Sequence, residues 1–145
     1  VIEGDKSFQE RQKTPRIAEN MFEVWCTDNG ILFHRAGFDQ TNEIKEFYRL
    51  NKVLRNIPDY VIQYPSGCMF AVAVKGTLSM KHEEMDFLDK MIECYSSTRC
   101  PLIYAFCIRD QEPKLYEANV VQQLFALSKI EGEWSDRKKY KVLCI

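Results

Sequence analysis

A chain of 145 residues, 46% hydrophobic and 28% charged, is long enough to bury one proper core and too short for two ordinary domains, which predicts a single globular domain over residues 1–145. Its formal net charge of -1 supplies no overall attraction to nucleic acid, so any such binding has to rest on a local basic patch. No apolar run approaches the roughly 20 residues of a membrane span, and the opening Val1-Ile2-Glu3-Gly4-Asp5-Lys6 lacks the apolar core of a signal peptide, so the expected setting is soluble and intracellular, with no membrane partner.

In chain order, residues 1–13 form a polar, charge-mixed lead expected to be loosely ordered. Thr14 is a credible N-cap with Pro15 at the first helical position. Ile17, Ala18, Met21, Phe22, Val24 and Trp25 then recur at helical spacing as a buried stripe, and Asp28-Asn29-Gly30 stops the helix. Glu19 lies on or beside the stripe, with Glu23 one turn on. Residues 31–36 read as a strand. Residues 42–54 fit a short amphipathic helix, punctuated by Arg49, Lys52 and Arg55, which read either as a basic edge for a phosphate backbone or as a solvated face of mixed charge.

Residues 58–76 read as a β-hairpin. Tyr60 to Tyr64 and Cys68 to Val74 are apolar, β-branched and aromatic runs separated by Pro65-Ser66-Gly67, a three-residue loop whose last position suits a left-handed glycine. A loop centred on Ser66 sets Tyr64 opposite Cys68, Ile62 opposite Phe70 and Asp59 opposite Ala73. Alternation then gathers Asp59, Val61, Gln63, Met69, Ala71, Ala73 and Lys75 on one face, and Tyr60, Ile62, Phe70, Val72 and Val74 on the other. An acid and a lysine thus meet at one end of an apolar hairpin.

Beyond it, Ser79 is placed to cap a second long helix with Glu83 and Glu84 near its positive end and Met85, Leu88, Met91, Ile92 and Tyr95 on its buried side, closed by Ser96-Ser97-Thr98. Lys81 and His82 fall at its exposed start. Residues 101–108 form a nearly continuous apolar run, expected as a central strand covered on both faces. After a polar turn, residues 115–130 read as a further helix and residues 140–145 as a short closing strand. The six cysteines, Cys26, Cys68, Cys94, Cys100, Cys107 and Cys144, are dispersed without a C-x-x-C pair, which favours reduced, mostly buried thiols. Cys94, Cys100 and His82 match no standard zinc spacing. There is no glycine-rich phosphate loop and no nucleophile elbow, and His34 and His82 have no recognisable serine or cysteine partner.

Pro58-Asp59, the hairpin, and Ala73-Val74-Lys75-Gly76 together resemble the core of the PD-(D/E)XK nuclease superfamily, and the order α-β-(α)-β-β-α-β-α-β is similar to its recurring helix, three-stranded unit, helix and strand. The resemblance covers roughly residues 14–108. It implies an α/β fold, a restriction-endonuclease-like sandwich with a central mixed β-sheet flanked by helices. It also implies metal-dependent hydrolysis of DNA phosphodiester bonds, with Mg2+ or Mn2+ as cofactor, DNA as partner and a homodimer to cut two strands. By this resemblance Asp59 binds metal, Lys75 positions the nucleophile or stabilises the phosphate's charge, Glu19 completes the acidic site, and the Val74 carbonyl adds an oxygen ligand. Arg49, Lys52, Arg55 and Lys81 are the candidates for contact with nucleic acid.

One position departs from the family's pattern: Ala73 stands where the second acid belongs. Three explanations are open. Ala73 replaces a glutamate that was removed to silence the enzyme; or the acid has moved to the next helix, where Glu83 or Glu84 reaches the site; or the chain has become a non-catalytic nucleic-acid-binding or protein-interaction module on the same fold. An α/β domain in which Asp59 and Lys75 simply form a salt bridge is the plainest alternative.

Overall fold

The computed structural model describes residues 8–36, 58–96 and 98–145, with side chains from Arg16 onward in the first helix. That helix, α1 (Phe8–Asp28), starts two turns before Thr14 and runs straight through Pro15. The predicted cap is therefore not used. A proline inside a helix loses one backbone hydrogen bond, but Gln9-Glu10-Arg11-Gln12-Lys13 is a run of good helix formers that carries the helix past it. Ala18, Phe22 and Cys26 are buried, with Met21 and Trp25 packed beside them. Ile17 and Val24, expected in the stripe, are exposed, because they lie about 120° or more around the helix from that face. Gly30, with φ 67°, ends the helix in the left-handed region.

Strand β1 (Leu32–Arg35) leads away from α1. The hairpin strands are β2 (Tyr60–Gln63) and β3 (Met69–Lys75). Their register is the one expected, with Ile62 opposite Phe70 and Val61 opposite Ala71. The Tyr64 amide donates to the Cys68 carbonyl at 2.9 Å, and Gly67 holds φ 95° at the end of the loop. Next, β4 (Ser79–Lys81) pairs with a later strand, and α2 (His82–Ser96) follows it without a break. Ser79 is thus a strand residue and not a helix cap. Burying the whole of Met80 in the core outweighs anything a serine cap would add.

The central strand β5 (Leu102–Phe106) is buried along its whole length, as its apolar run predicts. Leu115 and Tyr116, read as helical, belong instead to β6 (Lys114–Glu117), and α3 (Ala118–Leu127) is shorter than expected. The chain ends in β7 (Glu131–Glu133), a strand with no sequence signal, and β8 (Lys139–Val142).

Five strands form a mixed sheet in the order β1-β2-β3-β5-β6, in which β3 and β5 are parallel and the other neighbours antiparallel. A second sheet has the order β4-β8-β7. The two faces of the hairpin part as alternation requires. Tyr60, Ile62, Val72 and Val74 pack under α1 with Ile103, Ala105 and Cys107. Ala71, Tyr104 and Phe106 pack under α2 and α3 with Leu88, Met91 and Val121, and Met80 of β4 and Leu143, just after β8, join this core. All six cysteines are free; Cys26 and Cys107 are buried, but Cys68, Cys94 and Cys144 are exposed, so the thiols are less buried than expected. Among the described residues, no helix is long and apolar enough to cross a membrane.

Candidate active site at the open end of the hairpin

Asp59 sits just before β2, on a backbone pinned by the Ala36 amide, which donates to its carbonyl at 2.9 Å. The register that sets Tyr60 opposite Val72 carries on to set Asp59 beside Ala73. Its carboxylate turns to the sheet, where Oδ2 accepts the Val74 amide at 2.8 Å. A strand residue's N–H and C=O point to the same side, so the Val74 carbonyl, the expected oxygen ligand, also faces beyond the end of β2. Lys75 closes β3, its carbonyl held by the Cys107 amide at 2.8 Å.

The partner of Lys75 is Glu84. Because α2 begins at His82, Glu84 lies in its first turn, where the helix dipole favours a carboxylate. Both its oxygens lie 2.7 Å from Lys75 Nζ, and the buried Tyr104 hydroxyl donates to Oε1 at 3.3 Å. Tyr104 stands next to Ala73 in the parallel register of β3 and β5. Glu83 points elsewhere, to Lys138 at 3.8 Å. Of the two helix acids weighed from the sequence, the structure brings Glu84 to the lysine.

A second polar group adjoins the first. Arg35, at the end of β1 and opposite Tyr60, donates to Glu19 at 2.8 Å and lies 3.9 Å from Glu23. The Tyr60 hydroxyl donates to Glu23. Electrostatics join the two groups. Burial pushes the Asp59 carboxyl above its ordinary value; the Val74 amide and Lys75 pull it down, while Glu84 pushes it up. Burial and then the charge of Asp59 raise Glu19, against Arg35. Burial first, then Glu84, holds the Tyr104 phenol well above its usual range, so it stays a hydrogen-bond donor.

The structure therefore gathers Asp59, Lys75, Ala73 and Val74, adds Glu84, and sets Glu19 close enough to feel the charge on Asp59. Arg49, Lys52 and Arg55 lie outside the described residues. Lys81 is on β4 with its ammonium 5.6 Å over the Trp134 ring. Sequence reasoning missed Tyr104, a single polar tip in an apolar run, and Arg35, whose role needs the β1–β2 register. Among the described residues, no three His, Cys, Asp or Glu come together as a ready metal cluster, and Cys94, Cys100 and His82 form none. The donor set still fits one class of ion. Magnesium keeps most of its waters and takes one or two carboxylates, with substrate oxygens completing the shell. Asp59 and Glu84 are two such carboxylates, near enough for one to raise the pKa of the other.

No protein-family profile matches the chain, and no curated protein matches it in sequence. Among solved structures, it is similar to a Holliday junction resolvase, Hjc, from the archaeal hyperthermophile Archaeoglobus fulgidus. The TM-score is 0.51 and the identity 12%, over 88% of this chain and 87% of the other. The likeness shows the fold: α/β, a five-stranded mixed sheet flanked by three helices, matching the resolvase nuclease fold.

Proposed function

We propose that the chain is a magnesium-dependent DNA endonuclease in which Glu84, carried by a helix, stands in for the acid absent at Ala73. One observation carries the reading: the Glu84 carboxylate lies against Lys75 and near enough to Asp59 to raise its pKa, so a second acid adjoins the pair that the hairpin brings together. Asp59 and Glu84 would hold the ion, Val74 would offer its carbonyl, and Glu19 would add charge from the side. When bound, the ion supplies Lewis-acid polarisation of the phosphate and lowers the pKa of the attacking water. Lys75, as an ammonium, stabilises the negative charge that develops on the phosphate. Tyr104 keeps Glu84 aimed at the site by donating to it.

The resolvase likeness makes branched DNA the first substrate to test, beside linear duplex and single strands. Cutting two strands calls for two sites, hence a homodimer, which sedimentation measures. The deciding experiment is calorimetric titration with manganese, a spectroscopically convenient substitute for magnesium, on the wild type, Asp59→Asn and Glu84→Gln. Binding that both substitutions weaken at least tenfold, together with cutting of at least one DNA in magnesium, supports the reading. No binding by the wild type and no cutting refutes it and favours the alternative, a non-catalytic module in which Lys75 and Glu84 are only an ion pair.

A further inference from the structure

We infer that the β7–β8 hairpin, with Lys81 of β4 beside it, is a docking surface for the phosphate backbone of DNA; this rests on the nuclease reading and gives it a substrate platform. The outer half of the hairpin reads Trp134-Ser135-Asp136-Arg137-Lys138-Lys139-Tyr140-Lys141, four cations in five positions from Arg137 onward. In a chain whose net charge is -1, that is a local excess.

Lys141 turns away, its ammonium 4.9 Å over the Phe125 ring and 4.0 Å from Glu131, and the turn holds Arg137 and Lys138. Trp134 and Lys138 close the turn, the Trp134 amide donating to the Lys138 carbonyl at 3.0 Å. Arg137 sits inside it at φ 65°, a left-handed conformation that glycine would take without strain; the sequence keeps a cation there instead. The Trp134 ring stacks on Tyr140 with centroids 4.3 Å apart and an interplanar angle of 28°. Strand pairing puts Lys81 opposite Tyr140, and its ammonium lies over the Trp134 ring. The aromatic stack thus carries Lys81 over one ring, and the turn that holds Arg137 and Lys138 begins at that same Trp134.

The acids nearby offset this only in part. Glu83 is 3.8 Å from Lys138, and both side chains are half exposed; Glu133 faces Lys139 across the strand pair; Asp136 spends Oδ1 on the Lys138 amide. Lys81 records the crowding: after burial, the like charges of Lys138 and Lys75 are what hold its ammonium below its ordinary value. An anion placed among them relieves that repulsion. Lys81 ends β4 directly before α2, whose first turn carries Glu84 against Lys75, so the surface adjoins the candidate site and DNA lying along it reaches Lys75 and Glu84. The aromatic stack adds a face against which a sugar or an unpaired base can rest.

The test uses the whole chain in EDTA, so that binding is read without cutting. The probes are a fluorescein-labelled linear duplex and a labelled four-way junction, followed by anisotropy from 50 to 200 mM salt. Counterion release makes the logarithm of affinity fall linearly with the logarithm of salt, by about one unit of slope per phosphate contact. Lys81→Gln with Lys138→Gln is expected to lower the slope by about two and weaken binding at 50 mM salt at least tenfold. Arg99→Gln, exposed at the opposite end of β5, leaves the slope unchanged. In a Trp25→Phe background, DNA should change the emission of Trp134. An unchanged slope in the Lys81/Lys138 variant, or no binding by the wild type at 50 mM salt, overturns the inference. The two readings fail separately: hairpin-dependent binding without manganese binding or cutting sinks the enzyme and leaves the surface, whereas cutting with a slope indifferent to Lys81 and Lys138 sinks the surface alone.

Discussion

Removing Glu84 is the sharpest probe of the site, because its carboxylate serves two partners at once. In Glu84→Ala, Lys75 loses contacts of 2.7 Å to both oxygens, and the buried Tyr104 hydroxyl loses its acceptor at 3.3 Å. A hydrogen bond to a charged group contributes about 1.5–3 kcal/mol. The pair is about a quarter exposed, at 28% and 21%, so water replaces part of that and the lower half of the range applies. Orphaning the tyrosine adds about 1 kcal/mol, since its bond is long. The expected loss is therefore about 2.5–3 kcal/mol for Glu84→Ala. Glu84→Gln, which keeps a neutral acceptor for both partners, should cost about half as much. Urea unfolding at neutral pH without divalent ions measures both. A second readout separates the site from plain packing: Glu84 raises the Asp59 pKa, so neutralising it must move the Asp59 titration downward, as carboxyl-carbon NMR follows. A loss below about 0.5 kcal/mol in Glu84→Ala, or an unmoved Asp59, would falsify the arrangement.

Asp59 and Glu19 both titrate above their ordinary values of 3.8 and 4.5, so the folded chain holds their protons more tightly than the unfolded chain. Their contribution to stability is complete below those values and is lost as pH rises through the raised ones; urea midpoints should fall over that window, and Asp59→Asn should flatten the fall. Ala73→Glu adds a carboxylate beside Asp59 and Tyr104. It should destabilise the metal-free protein, strengthen manganese binding in calorimetry and increase cutting in magnesium, while adding Lys75→Ala abolishes cutting and leaves DNA binding in place. A Cβ at Gly132 would come within 2.4 Å of the Tyr140 ring, so Gly132→Ala should displace Tyr140 from Trp134, change the tryptophan emission and cost about 1–3 kcal/mol by overpacking.

The hairpin was legible because two strong local rules agree on it. A three-residue loop ending in glycine fixes the register, and alternation then fixes which residues share a face, so sequence alone places Asp59, Ala73 and Lys75 together. The misread elements lack such rules. Ser79 followed by Glu83 and Glu84 imitates a capped helix start, while a three-residue strand is too short to show a period; only pairing with β8, far along the chain, makes it a strand. Leu115 and Tyr116 run into α3 with no glycine or proline between them, so a helical reading absorbed β6. The same boundary governed the site. With α2 starting at Ser79, Glu83 and Glu84 are equivalent candidates; with the start at His82, Glu84 turns to Lys75 and Glu83 to Lys138.

Under the nuclease reading, an acid carried by α2 and not by β3 changes how the site stands when no ion is bound. A glutamate at position 73 would face Asp59 across a strand pair, where opposed side chains lie about 5 Å apart and like charges destabilise. On α2, Glu84 gains a helix N-terminus and the ammonium of Lys75, so two of the site's charges neutralise each other, while Asp59 and Glu19 are left raised by burial. The chain can therefore fold with its acids in place and no cation to hold them. The arrangement has a consequence for function. Glu84 has two competing claims upon it, Lys75 and any ion that Asp59 shares, and Lys75 is released toward a phosphate only as its claim is given up. Under the nuclease reading, the ion pair that balances the resting site is thus also what keeps the lysine from acting before cation and DNA are both present.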